Sequence, residues 1–155
     1  MPEVGEKAPE FALYDTEKKV RTLAQFLAEG RRTIIAFFPG AFTSPCTQEM
    51  CTFRDMYGEL ENLNGNVVGI SVDAPFAQKA FADMHELTFP LLCDFKKEVI
   101  QKYGVVWNNL AGVDGYVTAN RAIFIVDDGG TIRYKWVAPN PGTLPDFDEI
   151  KDGLR

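Results

Sequence analysis

The sequence predicts an α/β protein with a mixed central sheet flanked by helices. Three observations carry this prediction. Apolar, strand-like runs alternate with amphipathic helical segments through the middle of the chain, an order typical of parallel strands joined by crossover helices. One hairpin signal precedes this region and another follows it, which adds antiparallel strands. With 155 residues, the chain suits one domain with a core, so we expect a single domain over residues 1–155.

The chain begins with a short hairpin and a short helix. Strand-forming residues 11–14 and 19–22 flank the polar tetrapeptide 15–18, a pattern that predicts two antiparallel strands around a turn. Residues 23–29 then show a helical pattern that ends at Gly30. The hairpin is therefore an N-terminal extension of the alternating region.

Three apolar strands, each followed by a helix, make up the alternating region. The strands are predicted at residues 33–38, 66–72 and 90–93. The helices are predicted at residues 44–62, 75–87 and 97–103. Since the first strand is apolar throughout, we expect it to be buried on both faces of the sheet.

A hairpin and a helix close the predicted fold. The turn 128–130, with sequence DGG, lies between the apolar runs 122–127 and 131–137 and predicts antiparallel pairing. Residues 146–154 have the pattern of a closing helix. The complete order of elements is typical of a thioredoxin-like fold with an N-terminal β-hairpin extension.

Two segments near the end of the chain are predicted to be irregular. Residues 105–120 are rich in Gly and Asn, so we expect a loop without regular structure there. Residues 139–142, with sequence PNPG, are predicted to form a plain turn that has no functional role.

Composition and charge exclude several classes of protein. The formal net charge of −6 argues against a nucleic-acid-binding surface and against attraction to an anionic membrane. No apolar run approaches the roughly 20 residues of a membrane-spanning helix, and the first residues lack the apolar core of a signal peptide. We therefore expect a cytoplasmic protein with neither nucleic-acid nor membrane partners.

The three cysteines predict redox or catalytic chemistry. They are too few for a disulfide scaffold, which a chain of this size does not need. No structural metal site is expected, because the single histidine, His85, is far in sequence from Cys46 and Cys51. In a reducing compartment, cysteines in reactive surroundings are typically catalytic or redox-sensing.

Cys46 has the sequence surroundings of a reactive cysteine. It falls in the first turn of the predicted helix 44–62, just after the buried strand 33–38. Free backbone N–H groups and the positive end of the helix dipole meet at this position, and both favour a thiolate over a thiol. A thiolate is a nucleophile, so Cys46 is the candidate catalytic residue.

Three further residues are expected beside Cys46. Thr43 and Ser44 are alternative N-caps of the long helix, and the Thr43 hydroxyl lies close enough in sequence to face the same pocket. Pro39 ends the strand and is placed to shield the thiolate from water. Arg121 opens the first strand of the closing hairpin, where its guanidinium is expected to stabilise the thiolate and orient an oxygen-bearing substrate.

The pattern Pro39-x3-Thr43-x2-Cys46 resembles the active-site motif of the peroxiredoxins. Residues 121–127, with sequence RAIFIVD, are similar to the segment that supplies the second active-site cluster of that family. Further similar segments lie at residues 89–92 and 103–105. The resemblance extends over nearly the whole chain, from residue 4 to residue 134.

The resemblance implies a thiol peroxidase. The Cys46 sulfur would attack the terminal oxygen of hydrogen peroxide or an organic hydroperoxide and become a sulfenic acid. Thr43 and the Cys46 backbone N–H would hold the peroxide, with Pro39 completing the pocket. Arg121 would stabilise the charge that moves across the O–O bond. No metal, haem or flavin cofactor is implied.

Other side chains are candidates for supporting roles. Glu49 is expected to fix the pocket through a hydrogen bond to Arg121 or Arg54, the alternative being a solvated helix carboxylate. Phe42 and Trp107 are candidates for the mouth of the pocket or for a dimer contact, the alternative being ordinary packing.

Resemblance to the bacterioferritin-comigratory, or peroxiredoxin Q, group implies that Cys51 resolves the sulfenic acid as a disulfide. In an intact helix, residues five apart lie about 8.6 Å apart at Cα, whereas a disulfide needs less than about 7 Å. The start of the helix would therefore have to unwind. Cys93 is the alternative resolving residue. Segments 39–43 and 89–95 also resemble the one-cysteine alkyl hydroperoxide reductase E group, which leaves resolution by an external thiol open.

The family further implies a thioredoxin- or glutaredoxin-like reductant and either a monomer or a homodimer. Two other functions use the same cysteine. A peroxide sensor would pass its oxidation to a partner protein. A thiol–disulfide oxidoreductase normally has a Cys-x-x-Cys pair, and Glu49 stands where its second cysteine would be.

Overall fold

The computed structural model describes residues 1–155 as a seven-stranded sheet, a separate two-stranded ribbon and five α-helices. The strands are β1 (Ala12–Asp15), β2 (Val20–Thr22), β3 (Arg32–Phe37), β4 (Gly65–Ser71), β5 (Leu91–Cys93), β6 (Val106–Trp107), β7 (Thr118–Ala119), β8 (Ala122–Val126) and β9 (Ile132–Val137). The helices are α1 (Leu23–Leu27), α2 (Ser44–Asn62), α3 (Pro75–Met84), α4 (Glu98–Lys102) and α5 (Phe147–Asp152). No helix combines the length and the apolar character that crossing a membrane requires.

The large sheet has the strand order β2-β1-β5-β4-β3-β8-β9. Its central strands β3, β4 and β5 are parallel, and α2 and α3 are the crossover helices that connect them. β1 pairs antiparallel with β2 and β5, while β8 pairs antiparallel with β3 and β9. The predicted α/β class, mixed central sheet and N-terminal hairpin are therefore confirmed.

Strand β3 separates two hydrophobic layers. Ile35 and Phe37 face a layer that includes residues of α1 and α4. Ile34 and Ala36 face the opposite layer, which includes residues of α2, α3 and α5 and also contains Cys46. Every residue of β3 after the first is buried, as the continuous apolar run predicted. Cys46 is thus part of a packed core and not of an exposed loop.

The pairing of β3 with β8 brings distant parts of the chain to one edge of the sheet. Phe37, at the end of β3, is the register partner of Ala122, at the start of β8. The residue before β8, Arg121, therefore lies beside the loop that follows β3. Helix α2 begins at this edge, and Cys46 is its third residue. The antiparallel register explains how Arg121 reaches Cys46.

Residues 105–120 contain more structure than the predicted loop. β6 and β7 pair as an antiparallel ribbon, and Leu110–Gly112 form a 3₁₀ turn between them. Asn109 and Ala111 have φ angles of 56° and 57°, in the left-handed region that tight turns use. Strands of two residues leave almost no periodic pattern, so the Gly- and Asn-rich composition concealed them.

Candidate active site

Cys46 lies in the first turn of α2, where the sequence predicted it. Thr43 is the N-cap residue with extended backbone, and Pro45 occupies one of the first helical positions. The Cys46 side chain is fully buried, and its Sγ atom accepts a hydrogen bond from Arg121 Nη2 at 3.3 Å. A guanidinium donor next to a sulfur at a helix N-terminus stabilises the thiolate form.

Arg121 is buried, and every nitrogen of its guanidinium group has a hydrogen-bond partner. Nε and Nη2 donate to the carbonyl oxygen of Pro141 at 3.1 and 2.8 Å. Nη1 donates to Glu49 Oε1 at 2.9 Å, while Nη2 also donates to Cys46 Sγ. The backbone is held as well, because the Ala138 N–H donates to the Arg121 carbonyl at 2.9 Å. The guanidinium is therefore fixed between a sulfur, a carboxyl group and a carbonyl.

Glu49 lies behind Arg121 in the buried part of the site. It follows Cys46 by three residues, so the two side chains lie on neighbouring positions of one face of α2. Oε1 accepts the hydrogen bond from Arg121, but the buried Oε2 has no partner. Burial raises the pKa of Glu49 to about 7, against the attraction of the Arg121 charge. Arg54, the other partner considered for Glu49, donates instead to the carbonyl of His85 at 2.7 Å.

Thr43 and Pro39 line the approach to Arg121. The Thr43 hydroxyl donates to the carbonyl of Gly40 at 3.0 Å and makes no capping hydrogen bond to α2. The N-cap position was predicted correctly, but the helix begins without the side-chain cap that was expected there. Because the hydroxyl proton is used by Gly40, the oxygen lone pairs remain available to a ligand.

A cavity of about 410 Å³ opens beside these residues. Its walls combine the site residues with the end of the β6 strand, the 3₁₀ turn and the segment after β9. The lining residues are Pro39, Thr43, Pro45, Trp107, Asn109, Leu110, Ala111, Gly112, Arg121, Pro141 and Gly142. Of the two aromatic residues proposed for the pocket mouth, only Trp107 lines this cavity. Phe42 is half-exposed and packs edge-on against Phe81.

Residues 4–135 match the AhpC/TSA family. An alkyl hydroperoxide reductase E of Mycobacterium tuberculosis is 38% identical over 156 residues, which cover 99% of this chain and 97% of the relative. A putative peroxiredoxin of the same organism is 39% identical over 128 residues, covering 83% of this chain and 80% of the relative. The chain belongs to the peroxiredoxins of the AhpC/TSA family. It is a thiol peroxidase.

The fold of this peroxiredoxin is also similar to solved structures. The crystal structure of peroxidoxin BcpB from Mycobacterium tuberculosis superposes with a TM-score of 0.86 at 26% identity, covering 99% of this chain and 97% of the other. The thioredoxin-like architecture expected from the order of elements is thus confirmed. The resemblance to the peroxiredoxins, drawn from the motif around Cys46, is confirmed as well.

The turn at residues 139–142 corrects a sequence-based prediction. It was expected to be a plain turn without a role, but the Pro141 carbonyl accepts two hydrogen bonds from Arg121, and both Pro141 and Gly142 line the cavity. No side-chain pattern could reveal this role in the peroxiredoxin, because the functional atom belongs to the backbone.

None of the three cysteines of the peroxiredoxin is among the residues that line the cavity, and all three are free thiols. Cys46 lies behind the cavity wall, where Arg121 connects its sulfur to the lining. Cys51 is half-buried on α2, one and a half turns after Cys46. Cys93 is buried at the end of β5, where burial and the nearby Asp73 and Asp15 raise its pKa to about 12. Neither cysteine forms a disulfide with Cys46 in this structure.

Proposed function

We propose that this peroxiredoxin reduces hydrogen peroxide and organic hydroperoxides with Cys46 as the nucleophile. The thiolate attacks the terminal oxygen of the hydroperoxide, the O–O bond breaks, and the sulfur is oxidised to a sulfenic acid. The leaving oxygen takes up a proton and departs as water or an alcohol. The observation that carries this proposal is the hydrogen bond to the buried Cys46 Sγ from Nη2 of Arg121, a residue that lines the cavity.

Arg121 supplies the electrostatic part of the proposed reaction. Negative charge moves from the sulfur to the leaving oxygen as the O–O bond breaks. A guanidinium that is already fixed by Glu49 and Pro141 does not have to reorganise while this happens. Its burial also strengthens the interaction relative to water.

Thr43 and the backbone of Cys46 are proposed to position the peroxide. The Thr43 oxygen accepts a hydrogen bond from the peroxide O–H, since its own proton is directed to Gly40. The Cys46 N–H belongs to the first turn of α2, where backbone donors have no partner within the helix. Pro39 lines the cavity without adding a competing donor.

The cavity supports organic hydroperoxides as substrates in addition to hydrogen peroxide. Its volume falls within the usual range of small-molecule sites, and Trp107 and Leu110 supply apolar surface. Trp107→Ala should lower kcat/KM for cumene hydroperoxide by about tenfold because it removes contacts that only a bulky substrate makes. The rate with hydrogen peroxide is the internal control and should stay within about twofold. An equal loss with both substrates would contradict this role of the cavity.

Cys51 is the proposed resolving residue. Its thiolate attacks the sulfenic sulfur of Cys46, an S–S bond forms and the S–O bond breaks, and the leaving hydroxide takes up a proton to become water. In the intact α2 helix the two Cα atoms lie about 8.6 Å apart, which is too far for a disulfide. The first turn has to unwind, and the missing side-chain cap at Thr43 makes this turn easier to open.

Cys93 is a less suitable resolving residue. It is buried within the sheet, and its raised pKa of about 12 leaves almost no thiolate near neutral pH. β4 also separates β5 from β3, so Cys93 lies roughly 10 Å to the side of β3.

We propose a thioredoxin- or glutaredoxin-like protein as the reductant of the Cys46–Cys51 disulfide. The oligomeric state, either a monomer or a homodimer, remains a prediction. The cytoplasmic location also remains a prediction.

Intact mass and non-reducing peptide mapping after one equivalent of hydrogen peroxide test these assignments. The wild-type protein should lose two hydrogen atoms and yield a peptide pair linked through Cys46 and Cys51. Cys46→Ser should neither react nor turn over, and retained turnover would refute the nucleophile. Cys51→Ser should instead gain one oxygen atom on Cys46.

Cys93→Ser is the matched control and should behave like the wild-type protein. If Cys51→Ser forms a disulfide with Cys93, the resolving residue is Cys93. If the wild-type protein stops at the sulfenic acid, an external thiol completes the cycle and Cys51 has no resolving role.

A further inference from the structure

The loop between β3 and α2 has an unfavourable backbone conformation. This β3–α2 loop, residues Pro39–Thr43, leads directly to the first turn that contains Cys46. Phe42 has a φ of 67°, in the left-handed region that residues with a side chain rarely adopt. Such a conformation persists only where the surrounding structure holds it in place. The contacts of this loop therefore decide whether it keeps this conformation.

The carboxyl group of Asp73 holds the centre of this loop. Asp73 follows β4, and its Oδ2 atom accepts a hydrogen bond from the backbone N–H of Ala41 at 2.8 Å. The same oxygen accepts a hydrogen bond from the Ser71 hydroxyl at 2.7 Å. The loop is thus tied to the end of the neighbouring parallel strand by a charge-assisted hydrogen bond.

The Asp73 carboxyl group is itself held by buried neighbours. The Gln78 side chain, fully buried on α3, donates from Nε2 to Ser71 Oγ at 2.8 Å and to the Leu92 carbonyl at 3.2 Å. The Asp73 N–H donates back to Ser71 Oγ at 3.2 Å. A chain of hydrogen bonds therefore runs from β5 and α3 through Ser71 and Asp73 to Ala41.

We infer that Asp73 is a positioning residue that holds the β3–α2 loop in the conformation that places Cys46 against Arg121. The Asp73 side chain accepts hydrogen bonds from the Ala41 N–H and the Ser71 hydroxyl and has none to Thr43, Cys46 or Arg121, so it acts through the loop. The effect of Asp73 on the reaction rates rests on the proposed function of Cys46. The restraint that Asp73 places on Ala41 is independent of that function.

Loss of this restraint has opposite effects on the two steps of the cycle. The reaction with peroxide needs Cys46, Thr43 and Arg121 in their present places, so it should slow. Disulfide formation with Cys51 needs the first turn of α2 to unwind, so it should accelerate. Because the lost hydrogen bond is to a charged group, each rate should change by about tenfold.

Asp73→Ala and Asp73→Asn, with Asp83→Asn as control, test the inference. Asp83 is exposed on α3 and its carboxyl group pairs with Lys79, away from the loop. Rapid quenching followed by intact mass gives both rates, and hydrogen exchange reports on the Ala41 amide. Asp73→Ala should show slower sulfenic acid formation, faster disulfide formation and faster exchange at Ala41. Asp73→Asn keeps an acceptor oxygen and should show smaller changes in the same directions.

The outcomes separate this inference from the proposed function. Wild-type rates and wild-type exchange at Ala41 in Asp73→Ala would overturn it, as would faster exchange without any change in the two rates. If Asp73→Ala does not fold, Asp73→Asn decides by the same criteria. If the wild-type protein itself does not react with peroxide, the proposed function fails, and exchange at Ala41 still decides whether Asp73 restrains the loop.

Discussion

Glu49 is a buried carboxyl group whose titration should make the stability of this protein depend on pH. Its side chain has no exposed surface, Oε1 is bound to Arg121, and Oε2 has no partner. Burial raises the pKa of this group from 4.5 to about 7 in the folded protein. A group whose pKa is higher in the folded state stabilises the fold when it is protonated and loses that contribution as it ionises.

The expected magnitude follows from the two pKa values. A rise from 4.5 to about 7 corresponds to about 3 kcal/mol of stability. This contribution is fully present below pH 4.5 and disappears as the pH rises through about 7. Glu49→Gln resembles the protonated side chain at every pH, so the variant should lack this loss.

The assay compares Cys46→Ser with the double variant Cys46→Ser, Glu49→Gln by urea unfolding between about pH 5 and pH 8. The serine background excludes reactions of the Cys46 thiol from the comparison. The free energy of unfolding of the parent, relative to that of the double variant, should fall by about 2–3 kcal/mol over this range, since part of the total is already lost at pH 5. Glu61→Gln, on an exposed position of the same helix, is the matched control and should show no such trend.

The direction in which the relative stability changes with pH shows whether burial or the Arg121 charge dominates the pKa of Glu49. If the attraction of Arg121 outweighed burial, the pKa of Glu49 would lie below 4.5, and the relative stability of the parent would not fall as the pH rises. A flat or rising difference would therefore refute the reasoning that burial dominates at this site.

Three further substitutions test other parts of the structure. Arg121→Lys keeps the charge, but a lysine cannot bind Glu49, Cys46 and the Pro141 carbonyl together. The second-order rate constant for the reaction with peroxide, measured by stopped flow, should therefore fall by about 100-fold. Gly69→Ala should lower the free energy of unfolding by about 1–3 kcal/mol, because the new Cβ would lie 2.7 Å from Leu91 Cδ2. Gly58→Ala lies in the interior of α2, where the new Cβ would meet no atom within 4 Å apart from its chain neighbours and the nearby backbone of the helix, so it should raise the free energy of unfolding by about 0.5–1 kcal/mol. The opposite order of these two glycine variants in urea unfolding would contradict the packing argument.

Local sequence patterns predicted the elements that position Cys46. The apolar run of β3 and the long helix α2 lie where the alternation of apolar and polar residues placed them. Cys46 follows β3 by only nine residues and falls in the first turn of α2, so short-range preferences are sufficient to position it. The pairing of β6 with β7 escaped prediction because each strand has only two residues.

Long-range contacts that depend on the backbone could not be predicted in the same way. The place of Arg121 at the start of a predicted strand, and the resemblance of residues 121–127 to a peroxiredoxin segment, indicated this residue, which lies 75 positions after Cys46. The Pro141 carbonyl that orients this arginine has no side-chain signature, and its segment has the composition of an ordinary turn. The contact of Asp73 with the Ala41 N–H likewise involves a backbone donor, 32 positions away.

The amino-acid sequence by itself determined the fold class and the family and indicated Cys46 as the proposed nucleophile, because these depend on side-chain patterns over short stretches of chain. Only the tertiary structure decided which partners hold Arg121, that Glu49 is buried with one carboxyl oxygen unpartnered, and which residues enclose the cavity. The physical reason is that burial and hydrogen bonding arise where strands and loops from distant parts of the chain meet. Many of the atoms that meet there are backbone groups, which every residue carries.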